Sequence, residues 1–143
     1  MGKDELYRDR ILWRAKQHKL FDKNCCQYSN LKNDQATFIA NILPKNINPV
    51  IVFLENTEKW TVLGTRSICS YYDANLVCAG LDKIEKKISL SRPVGVGPEE
   101  ARRQSNFLCL DKTGQLIWAP AGDELFALWN ILRMFPLKDP AEH

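Results

Sequence analysis

The chain has 143 residues, of which 45% are hydrophobic and 26% charged, so it can bury a core and does not have the composition of a disordered chain. Its net charge of +3 arises in Met1–Asn48, which holds nine Lys and Arg against five Asp and Glu. This asymmetry is mild and argues against a nucleic-acid-binding domain, which usually carries a denser basic stripe.

Two helices are predicted in the first 48 residues. Over Asp4–Lys19, charged and apolar residues are interspersed, with acidic residues early and basic residues late, as the helix dipole favours. Leu20–Lys32 shows no clear period and predicts a loop. Asn33 and Asp34 suit a helix cap, and the apolar side of a short second helix follows until Pro44 ends it.

Short strands are predicted from residue 49 onward, because Val, Ile, Phe and Trp then dominate in runs that turn residues separate, as at Glu55–Glu58. The candidate strands are Val50–Leu54, Trp60–Leu63, Ile68–Tyr72, Leu76–Ala79, Ile84–Leu90, Phe107–Leu110 and Leu116–Trp118. Strands at such spacing with tight turns indicate an antiparallel sheet that rolls toward a sandwich or a barrel. Ser91–Gln104 is predicted to be a long exposed loop.

The last part of the chain predicts a β-hairpin followed by an amphipathic helix. Asp111–Gly114 is a turn signal between the last two candidate strands. Apolar residues recur at i, i+3, i+4 and i+7 from Leu125 to Leu132 and so share one face of a helix, which Pro136 ends. Residues 1–143 are therefore expected to form one α+β domain, with a helical segment over 1–48 and a strand-rich segment over 49–135.

The chain has five cysteines. An odd number without a leader peptide argues against a framework of disulfides. Cys69, Cys78 and Cys109 lie inside apolar strands and are expected to be small core residues. No apolar run approaches the ~18 residues that a membrane-spanning helix needs. These features predict a reduced, cytoplasmic protein.

No catalytic or metal site is predicted. The chain has no C-x-x-C pair and only two histidines, His18 and His143, whereas a structural zinc site needs four ligands. A nucleophile needs a base beside it, and His18 is the only well-placed imidazole. Gly64–Ser67 lacks the G-x-x-x-x-G-K-S/T pattern of a phosphate loop and favours a tight turn instead. The chain is therefore expected not to be an enzyme and to carry no cofactor.

Two surface segments are candidate partner-binding sites. At the end of the Ile68–Tyr72 strand, at least one of two adjacent tyrosines should face outward, because neighbours on a strand face opposite sides. The long loop that follows Ser91 combines arginines with glycines. Tyr and Arg are enriched at protein interfaces. The candidate contact residues are Tyr71, Tyr72, Asp73, Arg92, Arg102 and Arg103.

The sequences Trp60–Ile68 and Leu81–Lys86, with the closing hairpin and helix, resemble the PH-like superfold of GRAM and bacterial PH domains. The resemblance covers Pro49–Phe135. It departs from the family pattern at Gly64, where Thr is commoner, and in the helical segment before residue 49. It implies an antiparallel, seven-stranded, partly open barrel of two near-orthogonal sheets, which the C-terminal helix caps.

This resemblance implies little about chemistry, because the same fold hosts many functions. Small bacterial proteins similar to this chain include immunity proteins, which are encoded beside polymorphic or contact-dependent inhibition toxins and neutralise the toxin domain by binding it. A protein of this kind, with a cognate toxin domain as partner, is the leading hypothesis. The alternative is a PH-like module that binds anionic lipid at a membrane surface through Lys83, Lys86 and Lys87.

Overall fold

The computed structural model describes residues 2–91, 97 and 105–135, and within them the fold is α+β. The helices are α1 (Lys3–Gln17), α2 (Asn33–Ile42), α3 (Leu81–Ile84) and α4 (Asp123–Leu132). The strands are β1 (Cys25–Gln27), β2 (Pro49–Asn56), β3 (Lys59–Gly64), β4 (Ser67–Tyr72), β5 (Asn75–Gly80), β6 (Ile88–Leu90), β7 (Phe107–Leu110) and β8 (Gln115–Trp118). Single 3₁₀ turns at Leu20–Asp22 and Tyr28–Asn30 flank β1.

The strands form two antiparallel sheets, each in chain order. One sheet has five strands, β1 to β5, and the other has three, β6 to β8. Hairpin connections join β2 to β3, β3 to β4, β4 to β5 and β7 to β8, which is why sequential strands are neighbours. The described residues contain no closed barrel.

Both faces of the five-stranded sheet are covered by apolar side chains. The larger core lies between this sheet, α1, α4 and the three-stranded sheet, and includes Ile11, Phe53 and Leu128. The smaller core lies under α2, where Ile39 packs with the fully buried Trp60. Burial on both faces accounts for the nearly continuous apolar run in β2.

The three longer helices predicted from the sequence are present. In α1, Tyr7, Ile11 and Ala15 are buried at intervals of four residues, so they form one face. In α4, the predicted apolar face is buried from Leu125 to Leu132. The start of α2 is the exception to the predicted caps: it follows Lys32, whose backbone N–H donates to the Gln35 side chain at 3.2 Å, and not an Asn33–Asp34 cap.

Two local predictions are wrong. The Leu20–Lys32 segment is not a simple loop, because β1 pairs with β2 through Cys25 opposite Phe53. The predicted strand Ile84–Leu90 is extended only at its end, in β6. Its beginning belongs to α3, and Glu85 and Lys86 then have left-handed backbones with φ of 53° and 63°. Leu81 and Ile84 are buried three residues apart, a spacing that suits one helical turn.

The cysteines also differ from expectation. Cys69 on β4 lies directly opposite Cys78 on β5, with their Cα atoms 4.2 Å apart, and their sulfurs form a disulfide. The expectation of two separate core thiols is wrong here, because the cross-strand register that brings them together is not visible in their sequence spacing. Cys109 is half-buried, whereas Cys25, in the segment predicted to be a loop, is buried in the larger core.

A buried polar ring joins the two sheets. The backbone N–H of Trp118 on β8 donates to Ser70 Oγ at 3.0 Å, and Thr61 Oγ1 donates to the Trp118 carbonyl at 2.5 Å. Because the single hydroxyl hydrogen of Thr61 is used for that carbonyl, Ser70 must donate to Thr61 Oγ1, which lies 2.8 Å away. The backbone N–H and C=O of Trp118, which point away from β7, are thus hydrogen-bonded by side chains of β4 and β3.

Candidate functional site

Two hairpin turns lie side by side at one end of the five-stranded sheet and enclose a groove of about 470 Å³. One turn joins β2 to β3, and the other joins β4 to β5. The groove is lined by Glu55, Asn56, Glu58, Lys59, Tyr71, Asp73 and Ala74. It therefore combines two predicted contact residues, Tyr71 and Asp73, with polar residues of a different hairpin.

Tyr71 is the aromatic part of this groove. It pairs across the strands with Trp60, and the two rings stack with centroids 5.4 Å apart and an angle of 26° between their planes. Trp60 is fully buried, so one side of the half-buried Tyr71 ring is held by the core. A half-exposed aromatic ring that is already immobilised loses little conformational entropy when a partner covers it.

The groove is acidic although the chain as a whole is basic. Glu55, Glu58 and Asp73 are exposed carboxylates, and the one cation among the groove residues is Lys59. Lys59 Nζ lies 3.6 Å from Glu55 and 5.7 Å from the centre of the Trp118 ring, so its charge is already engaged. The balance is −2, which favours a cationic group in the groove.

The turn between β4 and β5 has an unusual backbone. Asp73 and Ala74 both have positive φ, at 50° and 61°, as a two-residue hairpin of type I′ requires. The Asn75 side chain donates to the Asp73 carbonyl at 3.0 Å. Asp tolerates this conformation because its short polar side chain can hydrogen-bond locally. Ala has no such group, so the steric cost of its Cβ at positive φ makes the turn less stable.

We expect Ala74→Gly to raise the free energy of unfolding by about 0.5 kcal/mol, because relief of the left-handed strain exceeds the added entropy of the unfolded chain. Urea titration followed by tryptophan fluorescence measures this change. Ala79→Gly, the same substitution in extended β5, is the control and should be destabilising. Equal losses for both variants would show that the left-handed turn at Ala74 is not formed.

The remaining predicted contact residues have different positions. Tyr72 faces the three-stranded sheet: its hydroxyl donates to the Leu116 carbonyl at 2.8 Å, and its ring meets Phe107 edge-on at 5.1 Å. Burial, and then the nearby Asp73 carboxylate, raises the pKa of the Tyr72 hydroxyl. Its role in partner binding stays a prediction. Arg92, Arg102 and Arg103 lie outside the described residues.

Two chemical features bear on catalysis and metal binding. Burial raises the pKa of the Cys25 thiol far above its usual range and also raises the pKa of Cys26, which disfavours the reactive thiolate at both. In residues 2–91 and 105–135, His, Cys, Asp and Glu form no group of three that could hold a metal ion. Neither the two cysteines nor the acidic residues of the described part of the chain therefore indicate a catalytic or metal site.

The sequence indicated only part of the groove. Tyr71 and Asp73 could be found because their residue types stand at a strand end. From the sequence, Glu55–Glu58 is only a turn, and nothing in its composition relates it to a second turn some fifteen residues later.

No helix among the described residues has the length and hydrophobicity to cross a membrane. Comparison of the chain with protein-family models, with curated proteins and with solved structures finds no match.

Proposed function

We propose that this chain is a non-enzymatic binding protein, and specifically an immunity protein that neutralises a cognate bacterial toxin by direct binding. The observation that carries the proposal is the groove between the two hairpin turns, where an aromatic ring stacked on the buried Trp60 shares the lining with three carboxylates and one lysine. Buried aromatic anchors with charged neighbours are the usual centres of binding energy at protein interfaces.

The proposal includes a PH-like arrangement of the strands. Apart from β1, four strands of the larger sheet and three of the smaller one make seven, and α4 follows them. The ring of Thr61, Ser70 and Trp118 holds the sheets together without ladder hydrogen bonds, as a partly open barrel would require. Packing of α4 in the core between the sheets is consistent with a capping helix.

The groove suits an arginine or lysine of the partner. A cation could lie over the outer face of Tyr71, an attraction of about 0.5–2 kcal/mol, and pair with Glu58 or Asp73. An arginine would gain most, since its planar group can bind a carboxylate through two hydrogen bonds. If that cationic residue lies near the active site of the toxin, the bound protein would block access of the toxin's substrate. The same proposal places the protein in the cytoplasm, although a disulfide such as Cys69–Cys78 is more usual in oxidising compartments.

A stable complex buries on the order of 1,600 Å² in total, which is more than one groove provides. The groove is therefore proposed as the centre of the interface, with neighbouring surface around it. The segment that carries Arg92, Arg102 and Arg103 is proposed as a second contact segment.

Reversal of charge at Arg102 and Arg103 should then weaken binding roughly tenfold or more, and unchanged affinity would remove that segment from the interface.

The experiment that identifies the partner is affinity purification of the tagged protein from its native cells at moderate salt, followed by mass spectrometry. We expect one stoichiometric partner that is the C-terminal part of a large secreted protein. Recovery of the tagged protein alone, in the membrane fraction, would contradict the immunity proposal.

With that partner, we expect Tyr71→Ala and Glu58→Lys each to weaken binding by roughly tenfold or more, because the first removes the aromatic anchor and the second reverses a groove charge. Calorimetric titration of the purified toxin domain measures the affinities. Asp9→Lys is the matched control for the charge reversal, since Asp9 is exposed on α1 and does not line the groove. If Asp9→Lys weakens binding as much as Glu58→Lys, the effect comes from net charge and not from the groove.

The second candidate function is binding of anionic lipid at a membrane surface. Lys83, Lys86 and Lys87 are all exposed at one end of β5. The neighbouring acidic residues are already paired, Asp82 with Lys3 and Glu85 with Lys112. Each free lysine near an anionic surface contributes about 1 kcal/mol. Sedimentation with phosphatidylserine vesicles tests this candidate, and the absence of salt-sensitive binding would reject it.

A further inference from the structure

A second cavity, of about 240 Å³, lies at the other end of β5 from the acidic groove. It is bounded by the end of β5, by α3 and by the turn between β7 and β8. Its residues are Cys78, Ala79, Gly80, Lys83, Ile84, Lys87, Leu110, Lys112, Thr113 and Gln115. Apolar contacts come from Ala79, Ile84 and Leu110, and each of the three charged residues is a lysine.

The position of this cavity follows from the sheet topology. β5 is the edge strand of the five-stranded sheet, so no further strand covers its outer side. The Gln115 side chain reaches across from β8 and donates to the Cys78 carbonyl at 3.3 Å. This bridge and the one-turn helix α3 leave an opening between the two sheets, with core side chains beneath it.

The charges around the opening are not balanced. Lys112 pairs with Glu85 at 2.9 Å, and the hydrogen bond from Lys112 lowers the pKa of Glu85. Lys83 and Lys87 form no ion pair with any of the described residues, although both are exposed beside the apolar wall. The opening therefore carries a charge of +2 above an apolar interior.

We propose that this cavity binds a small anionic amphiphile, an aliphatic carboxylate of about eight carbons in total. The carboxylate would lie between Lys83 and Lys87, and the apolar body would contact Ile84 and Leu110. An apolar cavity of roughly 150 Å³ accommodates benzene, so the larger volume here takes a ligand of about ten non-hydrogen atoms. The assignment does not rest on the toxin-binding proposal, because the two sites share no residue.

The direct test is titration of the full chain with octanoate, followed by amide NMR spectra. We expect saturable binding with a Kd on the order of 0.1–1 mM, which is ordinary for a ligand of this size. The shifted amides should include those of Ala79, Lys83 and Leu110. Octanol should bind at least about fivefold more weakly than octanoate, because it lacks the negative charge that the site favours. Octylammonium, which is positively charged, should show no saturable binding. Equal binding of octanoate and octanol would overturn the proposal.

Charge variants separate the cavity from a general basic surface. The double variant Lys83→Gln with Lys87→Gln should weaken octanoate about fivefold or more and leave octanol binding unchanged. Lys86→Gln is the matched control, since Lys86 is exposed beside Lys87 but does not line the cavity. An equal loss for the control, or binding to phosphatidylserine vesicles without saturable octanoate binding, would show a surface patch and overturn the proposal.

Discussion

Replacing Gly64 by alanine is expected to lower the free energy of unfolding by about 3 kcal/mol or more. A Cβ at this position would overlap the carbonyl oxygen of Ile47, and it would lie 2.5 Å from Ile47 Cγ1 and 3.0 Å from the Asn48 carbonyl oxygen. Two of these atoms belong to the backbone, which cannot move aside as the end of a flexible side chain can. The neighbouring backbone is fixed further by the hydrogen bond from Thr65 N to the Asn48 carbonyl at 3.2 Å.

Gly80→Ala is the matched control for this substitution. An added Cβ at Gly80 would meet the Lys83 side chain at 3.7 Å and the Arg66 carbonyl oxygen at 4.0 Å, which are ordinary contacts. Its effect should stay within about 0.5 kcal/mol. Urea titrations of the two variants, followed by circular dichroism, measure both changes. If Gly64→Ala unfolds at the same urea concentration as Gly80→Ala, the backbone of Ile47 and Asn48 does not pass close to Gly64.

Gly64 shows what a local sequence pattern can and cannot supply. Its departure from the PH-like pattern, where Thr is commoner at this place, can be noticed in the sequence. The reason for glycine lies in Ile47 and Asn48, which lie just before β2 and pass over the end of β3. No periodicity within Trp60–Ile68 contains that information, because the close approach is made by a different part of the chain.

The elements that could be predicted are those whose signal is local. The apolar faces of α1 and α4 repeat within a few residues, and the hairpins are marked by turn residues between apolar runs. β1 could not be predicted, because its three residues form a strand only through backbone hydrogen bonds to β2. The Cys69–Cys78 pair depends in the same way on cross-strand register.

The candidate groove likewise has residues that the local sequence indicates and residues that only the tertiary fold brings in. Tyr71 and Asp73 stand at a turn and could be selected by residue type, whereas Glu58 gains its relevance only from the sheet that brings a second turn beside them. The sequence could predict that Tyr71 and Tyr72 lie on opposite faces of the sheet, but not which tyrosine lies on which face. Alternation along β4 requires opposite faces, but it does not say that Tyr72 is the one that packs against the second sheet.

The junction of the two sheets leads to the second large expected effect. Thr61→Val should lower the free energy of unfolding by about 2–3 kcal/mol. Valine has nearly the shape of threonine, so no cavity forms, but the Trp118 carbonyl and the Ser70 hydroxyl each lose a partner in the fully buried interior. A buried polar group without a hydrogen-bond partner destabilises the folded state by the full free energy of its lost hydration.

The ring also makes a prediction about coupling. Ser70→Ala alone should cost about 1–2 kcal/mol, since the Trp118 N–H loses its acceptor, while Thr61 keeps its bond to the Trp118 carbonyl. Urea titrations of Thr61→Val, Ser70→Ala and the double variant should show that the double variant costs less than the sum, because both single changes break the same Thr61–Ser70 bond. Thr37→Val is the control: its hydroxyl donates to the Asn33 carbonyl on the exposed side of α2, where water can replace it. Additive losses would mean that Thr61 and Ser70 act separately and that no closed ring joins β8 to the larger sheet.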